Sequence, residues 1–592
     1  MTRKSYILAA AAVLVGQLAS AQNFNPKVEV TNTYESKGSD ARKQDVPMSV
    51  PDSLTTFEYT LDYSVFENPY RGSYDFKPYM IEMRPDPKPS DASTLYLRAG
   101  AGYTLHPELD FVYSPVLSAG KTHLSIYDTF RGYIGAFGRN VDDFGADVSA
   151  GQYIWGKMDK FGKGHVFDNN FGINAERSVG KFILGGDASY HLLASKDSLG
   201  SHMFHQGILK AYFRPAVPET SGWFYGGELS VSTGADKADF LMDDRLWQTG
   251  VDAVVSVGFP VGTKGKIAGD VNFQSVFNRG AFDADAYLVS AAPHYVITTD
   301  RTSLWAGLKL SILGGGSLDD KTYNHRGQYI YPDVHASYFL IPGYMKAYVD
   351  VSGGDKVNSY ASLLELNPYL HTTSATAAQP MLDFSSEKVN FEFGFKGNVA
   401  SKLEYKACVG YVIYSNGLLD VATTDEAYYN WMSSSYYTYN EFSPCFYGTY
   451  GYFDYDLFRA DIDLLWKSRR FDMEAGFRVN QTRFDDAEAY AVAAAPYQGR
   501  FAATYNWNRR VFAGLSLQYQ SARDGHGSYL GTYGPVNVPG FIDLGVNAMY
   551  KVDSRWSVWA RGGNLLNDAV QQYFLHCEKG ISFTLGICWN IR

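Results

Sequence analysis

Two histidines lie close together in the sequence, and paired imidazoles could serve as acid–base groups or as metal ligands. His202 and His205 are the closest pair among the 12 histidines of the 592-residue chain. A catalytic site needs several side chains that converge on one point, and no matched acid partner is evident for this pair. A solvated loop is the favoured interpretation. We therefore predict that the chain is not an enzyme and has no catalytic residue, bound cofactor or metal site.

Four aspartates lie in another predicted loop, just before Trp247, where carboxylates could collect calcium. They are Asp236, Asp239, Asp243 and Asp244. Their spacing matches no calcium-binding loop, so a hydrated acidic loop is favoured.

The four cysteines do not form a disulfide framework. Cys408 and Cys588 are predicted to lie on strands, and Cys445 and Cys577 near loop ends. A bridge between Cys445 and Cys577 could form, although their spacing does not call for one.

One predicted loop is rich in aromatic residues, which can stack on carbohydrate or form a protein interface. An equally good interpretation is that these residues extend the strands of their own hairpin and pack on neighbouring loops. The aromatic residues are Tyr428, Tyr429, Trp431, Tyr436, Tyr437, Tyr439 and Phe442.

Period-two alternation of apolar and polar residues dominates the chain from Thr94 onward and predicts antiparallel strands. It is clearest at residues 389–396 and 471–480, and again in the last fifty residues, from Phe541 to Arg592. There Leu585, Ile587 and Trp589 share one face, opposite Gly586 and Cys588. Alternation alone fits both a soluble sandwich and a membrane barrel.

Connection lengths favour the barrel. Tight turns, such as residues 467–470 and 551–554, alternate with long connections, such as residues 352–387 and 415–445. Short turns at one end and long loops at the other are typical of outer-membrane barrels. Six tryptophans near the tight turns or the C-terminus predict an aromatic girdle at one membrane interface: Trp223, Trp305, Trp466, Trp507, Trp556 and Trp589.

Residues 1–21 have the pattern of a signal peptide, and later apolar runs are too short for a spanning helix. Without Arg3 and Lys4 the chain has 50 basic and 62 acidic residues, a net charge of -12, which excludes nucleic acid as an expected partner.

Residues 22–93 contain eight prolines and predict an irregular periplasmic or lumen-filling segment. Residues 94–592 form the predicted transmembrane antiparallel β-barrel of about 22 strands, with an uncertain count around residues 142–165.

The turn Asn564-Leu565-Leu566-Asn567, followed by Tyr573 and a terminal amphipathic strand, resembles the end of a TonB-dependent receptor barrel. The resemblance covers residues 94–592 and implies an all-β barrel of 22 strands in the outer membrane of a Gram-negative cell. A receptor plug would need well over a hundred residues before the barrel. Because residues 22–93 are too few and too rich in proline, the chain is similar to plug-less receptor-like barrels of the Bacteroidota type.

A 22-stranded barrel leaks unless its lumen is filled or gated. We expect an outer-membrane transport-type conduit, gated by its N-terminal segment, its loops or a partner, without its own TonB-energised plug. The alternative is a non-transporting scaffold subunit of a multiprotein outer-membrane assembly. The expected partners are outer-membrane lipid and an outer-membrane or periplasmic protein, and the sequence names no substrate.

Overall fold

A computed structural model describes most of the chain after residue 93. The described ranges are 94–117, 122–138, 144–148, 151–155, 163–197, 200–215, 223–241, 245–262, 264–317, 325–342, 344–371, 382–399, 402–424, 446–485, 491–529, 532–578 and 580–591. The predicted signal peptide and the segment 22–93 lie outside the described residues.

The described chain is almost entirely β-strand. The first third contains β1 (Leu95–Tyr103), β2 (Glu108–Tyr113), β3 (Val116–Leu117), β4 (Thr122–Gly138), β5 (Phe144–Val148), β6 (Gly151–Trp155), β7 (Lys163–Val179), β8 (Phe182–Lys196) and β9 (Ser201–Pro215). The middle third contains β10 (Phe224–Asp236), β11 (Leu246–Val261), β12 (Gly265–Gly280), β13 (Ala284–Thr298), β14 (Thr302–Ser317), β15 (Gly327–Ile341), β16 (Met345–Val357) and β17 (Phe384–Val399). The last third contains β18 (Leu403–Thr424), β19 (Phe446–Lys467), β20 (Phe471–Phe484), β21 (Tyr497–Trp507), β22 (Val511–Gln520), β23 (Arg523–Tyr529), β24 (Thr532–Val538), β25 (Phe541–Lys551), β26 (Trp556–Gly563), β27 (Val570–Tyr573), β28 (His576–Glu578) and β29 (Ser582–Ile591). The helix α1 (Tyr360–Leu366) and a one-turn 3-10 helix (Asp239–Leu241) lie between strands.

Twenty-two of these strands form a closed antiparallel barrel, which confirms the predicted fold class. The ring is closed by β1 and β29, in a register that places Leu95 opposite Ile591 and Tyr103 opposite Phe583. Each barrel strand pairs with the next barrel strand along the chain, so the sheet has no free edge.

Of the seven remaining strands, β3 pairs with β4 beyond the end of β2, and the other six belong to connections. The sequence left the number of strands around residues 142–165 open. Two strands in this region, β5 and β6, form a separate two-stranded sheet and add nothing to the number of barrel strands. Another hairpin, β23 with β24, follows β22, and β27 with β28 follows β26.

The two faces of the barrel differ as alternation predicts. On β29, Leu585 and Ile587 are 66% and 47% exposed, whereas Thr584 and Cys588 are buried. Leu585 and Ile587 therefore face outward, and Thr584 and Cys588 face the lumen. Among the described residues no helix is long and apolar enough to span a membrane.

Short turns meet at one end, which we call the tight-turn end, and long connections meet at the other, the long-loop end. The predicted bounds of two long connections were wrong. The strands continue further than expected, β16 to Val357 and β18 to Thr424, and β17 begins earlier, at Phe384. These extensions are stable because they pack on segments that fold over the barrel mouth.

Candidate functional site: the mouth of the barrel

The connection between β16 and β17 folds inward, and we call residues 358–371 the cap segment. Ser359 starts its helix, since the Ser359 hydroxyl accepts a hydrogen bond from the Ser362 amide at 3.2 Å. Leu363 and Leu364 have no exposed surface, and Tyr360 is 1% exposed. A seven-residue helix is too short to be stable alone, so this burial is what holds α1 in place.

A buried polar cluster ties the cap segment to the barrel wall. The Tyr360 hydroxyl donates to Asp236 Oδ2 at 2.7 Å. His202 Nδ1 lies 2.8 Å from the same oxygen, and its Nε2 lies 2.5 Å from the Leu370 carbonyl oxygen. Both ring nitrogens of His202 therefore face acceptors, and only the doubly protonated imidazolium can donate to both.

The charges of this cluster follow from its contacts. These groups lie at the ends of β9 and β10, thirteen and twelve positions from the tight-turn end, above the apolar band of the barrel. Burial opposes the charge on His202, but the hydrogen bonds to Asp236 and Leu370 outweigh it and raise the pKa of His202. Burial likewise opposes the charge on Asp236, but donation from His202, Tyr360 and the Met203 amide lowers its pKa. Burial beside Asp236 raises the pKa of Tyr360. The cluster is thus an ion pair with a neutral phenol.

Two further contacts spread the attachment over four wall strands. The Ala361 amide donates to Gln248 Oε1 on β11 at 3.1 Å. The Ser195 hydroxyl on β8 donates to the Pro368 carbonyl. With His202 on β9 and Asp236 on β10, the cap segment is held by β8, β9, β10 and β11.

A second connection, residues 564–581 between β26 and β29, meets the cap segment. The Tyr369 and His576 rings are stacked, with centroids 4.4 Å apart and an interplanar angle of 12°. His576 Nε2 lies 2.9 Å from Asp197 Oδ2, in the connection between β8 and β9. The three connections follow the fifth, thirteenth and twenty-first of the 22 barrel strands. They come from points about a third of the ring apart and meet inside the mouth.

A third set of contacts holds residues 564–581 to the opposite wall. Arg523 forms a salt bridge with Asp420 at 3.1 Å, donates to Gln571 Oε1 at 3.3 Å, and lies 5.2 Å from the centre of the Phe574 ring. All four residues are buried. Phe574 also packs directly on Gly448 of β19, where a Cβ atom would lie 2.6 Å from the ring.

The upper part of β18 contributes to the closure as well. Its residues 418–422 are buried at every position, so both of its faces are covered. A bulge precedes them at Asn416, whose backbone has a φ of 54°. Asn tolerates this left-handed conformation better than most residues. Its side chain donates to Asp383 at 3.0 Å, beside the start of β17.

Below these contacts, the inner wall carries paired charges. Glu392 accepts from Arg459 at 2.6 Å and lies 3.0 Å from Lys406 Nζ. Asp461 accepts from Arg478 at 2.5 Å. Within the described ranges, no group of three His, Cys, Asp or Glu side chains is arranged to hold a metal ion.

The sequence-based interpretation of two loops was wrong. His202 is not in a solvated loop but on β9, and its acid partner is Asp236, which was assigned to a hydrated acidic loop. The contact joins residues 34 positions apart, which local patterns do not reveal. One signal was available for α1, because Ser359 precedes an apolar run with helical spacing.

The other predicted residues are placed as follows. The aromatic loop Tyr428–Phe442 and Cys445 lie outside the described residues. Trp305 faces the lumen, where its indole N–H donates to Asp333 at 2.9 Å and its ring stacks on His294. Five tryptophans face outward near the tight-turn end: Trp223, Trp466, Trp507, Trp556 and Trp589.

No protein-family model matches the sequence, and no curated protein matches it. Solved structures match the fold. The FrpB iron transporter from Neisseria meningitidis superposes with a TM-score of 0.61 at 9% identity, over 85% of this chain and 82% of that one. The copper transporter OprC gives 0.58 at 12% identity, over 84% and 80%. The ferripyoverdine receptor of the outer membrane of Pseudomonas aeruginosa gives 0.58 at 11% identity, over 85% and 72%. The chain shares its barrel fold with these outer-membrane transporters and receptors.

Proposed function

We propose that the protein is an outer-membrane conduit of the transport type, whose mouth is closed by its own connections and opens by their release. The observation that supports this most is the burial of the cap segment across the mouth, with Leu363 and Leu364 fully enclosed. The fold shared with iron, copper and siderophore transporters or receptors supports a transport role.

A closed mouth prevents leakage of solutes through a barrel of this width. Twenty-two strands enclose a lumen that is wide enough to pass hydrophilic solutes when it is empty. The contacts between the cap segment and the wall are hydrogen bonds and apolar packing, which can be broken and re-formed. A cap of this kind can act as a gate.

The same proposal covers the location and the N-terminal segment. We propose that the apolar outer face lies in outer-membrane lipid and that the five outward tryptophans form the girdle at the tight-turn interface. Residues 22–93 would occlude the lumen or contact a partner protein, in place of an energised plug. Deleting residues 23–90 separates these roles, because leakage indicates occlusion and loss of co-purifying proteins indicates a scaffold.

The aromatic loop stays part of the proposal as an external contact surface. Its residues Tyr428 to Phe442 connect β18 to β19 at the long-loop end, where we propose that they face outside. This connection is the next one along the chain at the long-loop end after the one that contains the cap segment.

The decisive experiment replaces residues 359–371 by a short Gly-Ser linker in a chain that also lacks residues 23–90, and measures entry of large hydrophilic antibiotics into cells. We expect increased entry compared with the chain that lacks residues 23–90 alone, at equal surface abundance. The matched control is Glu365→Ala, since Glu365 is the exposed residue of α1. If the linker variant stays as tight as the chain that lacks residues 23–90 alone, the cap does not gate the lumen and the scaffold alternative is favoured.

A further inference from the structure

The outward face of the barrel is apolar in a band near the tight-turn end, with one charged exception. In the described barrel strands, the outward-facing residues three to nine positions from that end are aliphatic, aromatic, glycine or proline, apart from Thr233 and Asp128. Asp128 is therefore the one charged residue of this band in the part of the chain that the structure describes.

The register fixes the direction of Asp128. It lies opposite Phe171 of β7, which is 41% exposed, and it shares the face of Ile134, which is 42% exposed. Tyr127, the residue before it, points into the lumen towards Asp187. Asp128 lies six positions from Thr122, the first residue of β4, or roughly 15 Å along the barrel axis for a strand tilted by about 40°. This places the carboxylate inside an apolar band that is about 25 Å tall in barrels of this class.

Asp128 has a polar neighbour on the same face. Asn169 of β7 lies opposite Phe130, diagonal to Asp128 and about 7 Å away. The Asp128 and Asn169 side chains are both partly exposed, and the Oδ1 atom of neither accepts a hydrogen bond within the described part of the chain. Four phenylalanines share this face of the barrel with the pair, namely Phe111, Phe130, Phe167 and Phe171.

Lipid tails offer neither donors nor acceptors, so a carboxyl and an amide on this face lack partners unless protein covers them. Ionisable residues inside the membrane region are rare, and they mark functional contacts. The two groups are also complementary, since a carboxylate accepts hydrogen bonds and an amide NH₂ donates them.

We propose that a second copy of this chain packs against this face, with Asp128 of each copy accepting from Asn169 of the other. A two-fold axis between β4 and β7 makes such a contact self-complementary, which is the geometry of most homodimers. The phenylalanines of the two copies pack around the two polar contacts. This inference rests on the outer-membrane location proposed above, but not on the gating of the mouth.

The test uses the full-length protein with a photo-crosslinking phenylalanine analogue at Phe171. We expect a crosslinked product of twice the mass of the single chain in the same membranes. The same analogue at Phe393, an outward-facing position of β17, is the matched control and should give no such product. A crosslink to a different protein, no crosslink, or an equal product from Phe393 would overturn the proposal.

A charge swap distinguishes a second copy from other occupants. Asn169→Asp places carboxylates against each other across the axis and should reduce the crosslinked dimer roughly tenfold, as expected for the loss of two hydrogen bonds in a membrane. The double variant Asp128→Asn/Asn169→Asp restores the pairing and should restore the dimer. Failure of this rescue contradicts the contact. Membrane fractionation of each variant reports insertion separately, so loss of the outer-membrane location is distinguishable from loss of the dimer.

Discussion

The Tyr360 hydroxyl is the most direct place to loosen the cap segment without disturbing its packing. Tyr360→Phe keeps the buried ring and removes the hydrogen bond to Asp236. A hydrogen bond to a charged group stabilises by about 1.5–3 kcal/mol. Asp236 keeps its contacts with His202 and the Met203 amide, so the lower half of that range applies. A loss of about 1.5–2 kcal/mol corresponds to a cap that opens roughly 10- to 30-fold more often.

Amide hydrogen exchange reads this opening directly. The Leu363 and Asn367 amides donate within α1, to Ser359 and Leu363 carbonyls at 3.0 and 2.9 Å, and exchange only when the helix opens. Tyr360→Phe should accelerate both amides by the same factor and leave amides of the distant barrel wall unchanged. Glu365→Ala, on the exposed side of α1, is the control and should change exchange less than about twofold. Unchanged exchange in Tyr360→Phe would refute the claim that this hydrogen bond holds the cap.

Three further predictions concern the same end of the barrel. Arg523→Gln leaves Asp420 buried without its cation and should destabilise the closed mouth by about 3–5 kcal/mol. Temperature-dependent hydrogen exchange should then show a lower melting temperature for residues 564–581. An unchanged melting temperature would contradict the role of this ion pair. The pair His202–Asp236 should make closure of the mouth pH-dependent. The raised pKa of His202 stabilises the closed mouth below the unfolded pKa of about 6.5, and this stability is lost as the pH rises through the folded pKa. The lowered pKa of Asp236 stabilises the closed mouth above the unfolded pKa of about 3.8, and this stability is lost as the pH falls through the folded pKa. Protection of the α1 amides, corrected for the pH dependence of intrinsic exchange, should therefore be highest between about pH 4 and 6.5, and a pH-independent opening equilibrium would argue against the pair. An epitope tag at Ser434 should be reached by antibody on intact cells, and a tag that is reached only after permeabilisation would reverse the assigned orientation.

Period-two alternation predicted the strands, because each strand has lipid-facing and lumen-facing residues in turn, and the alternation of tight turns with long connections favoured the barrel over a sandwich. Leu585, Ile587 and Cys588 face the sides that the sequence predicts. Tight turns were also predictable, since they are local. The girdle prediction missed the inward direction of Trp305, because proximity to a turn does not by itself specify the face.

The closure of the mouth was not predictable from local patterns. His202, Asp236 and Tyr360 are brought together from positions up to 158 residues apart, and no spacing within one segment predicts their contacts. Burial at residues 418–422 likewise depends on contacts with distant connections, so these strand residues were assigned to a loop. Long-range contacts of this kind depend on the closed ring, which places distant connections around one opening.

Single-channel conductance across a planar bilayer tests the central claim most directly. The purified barrel without residues 23–90 should remain closed for most of the recording, and the same chain with residues 359–371 also replaced by a linker should conduct continuously as a wide pore. A barrel with an intact cap segment that conducts as freely as the linker variant, or a linker variant that stays closed, would contradict the conclusion that the cap segment gates this barrel.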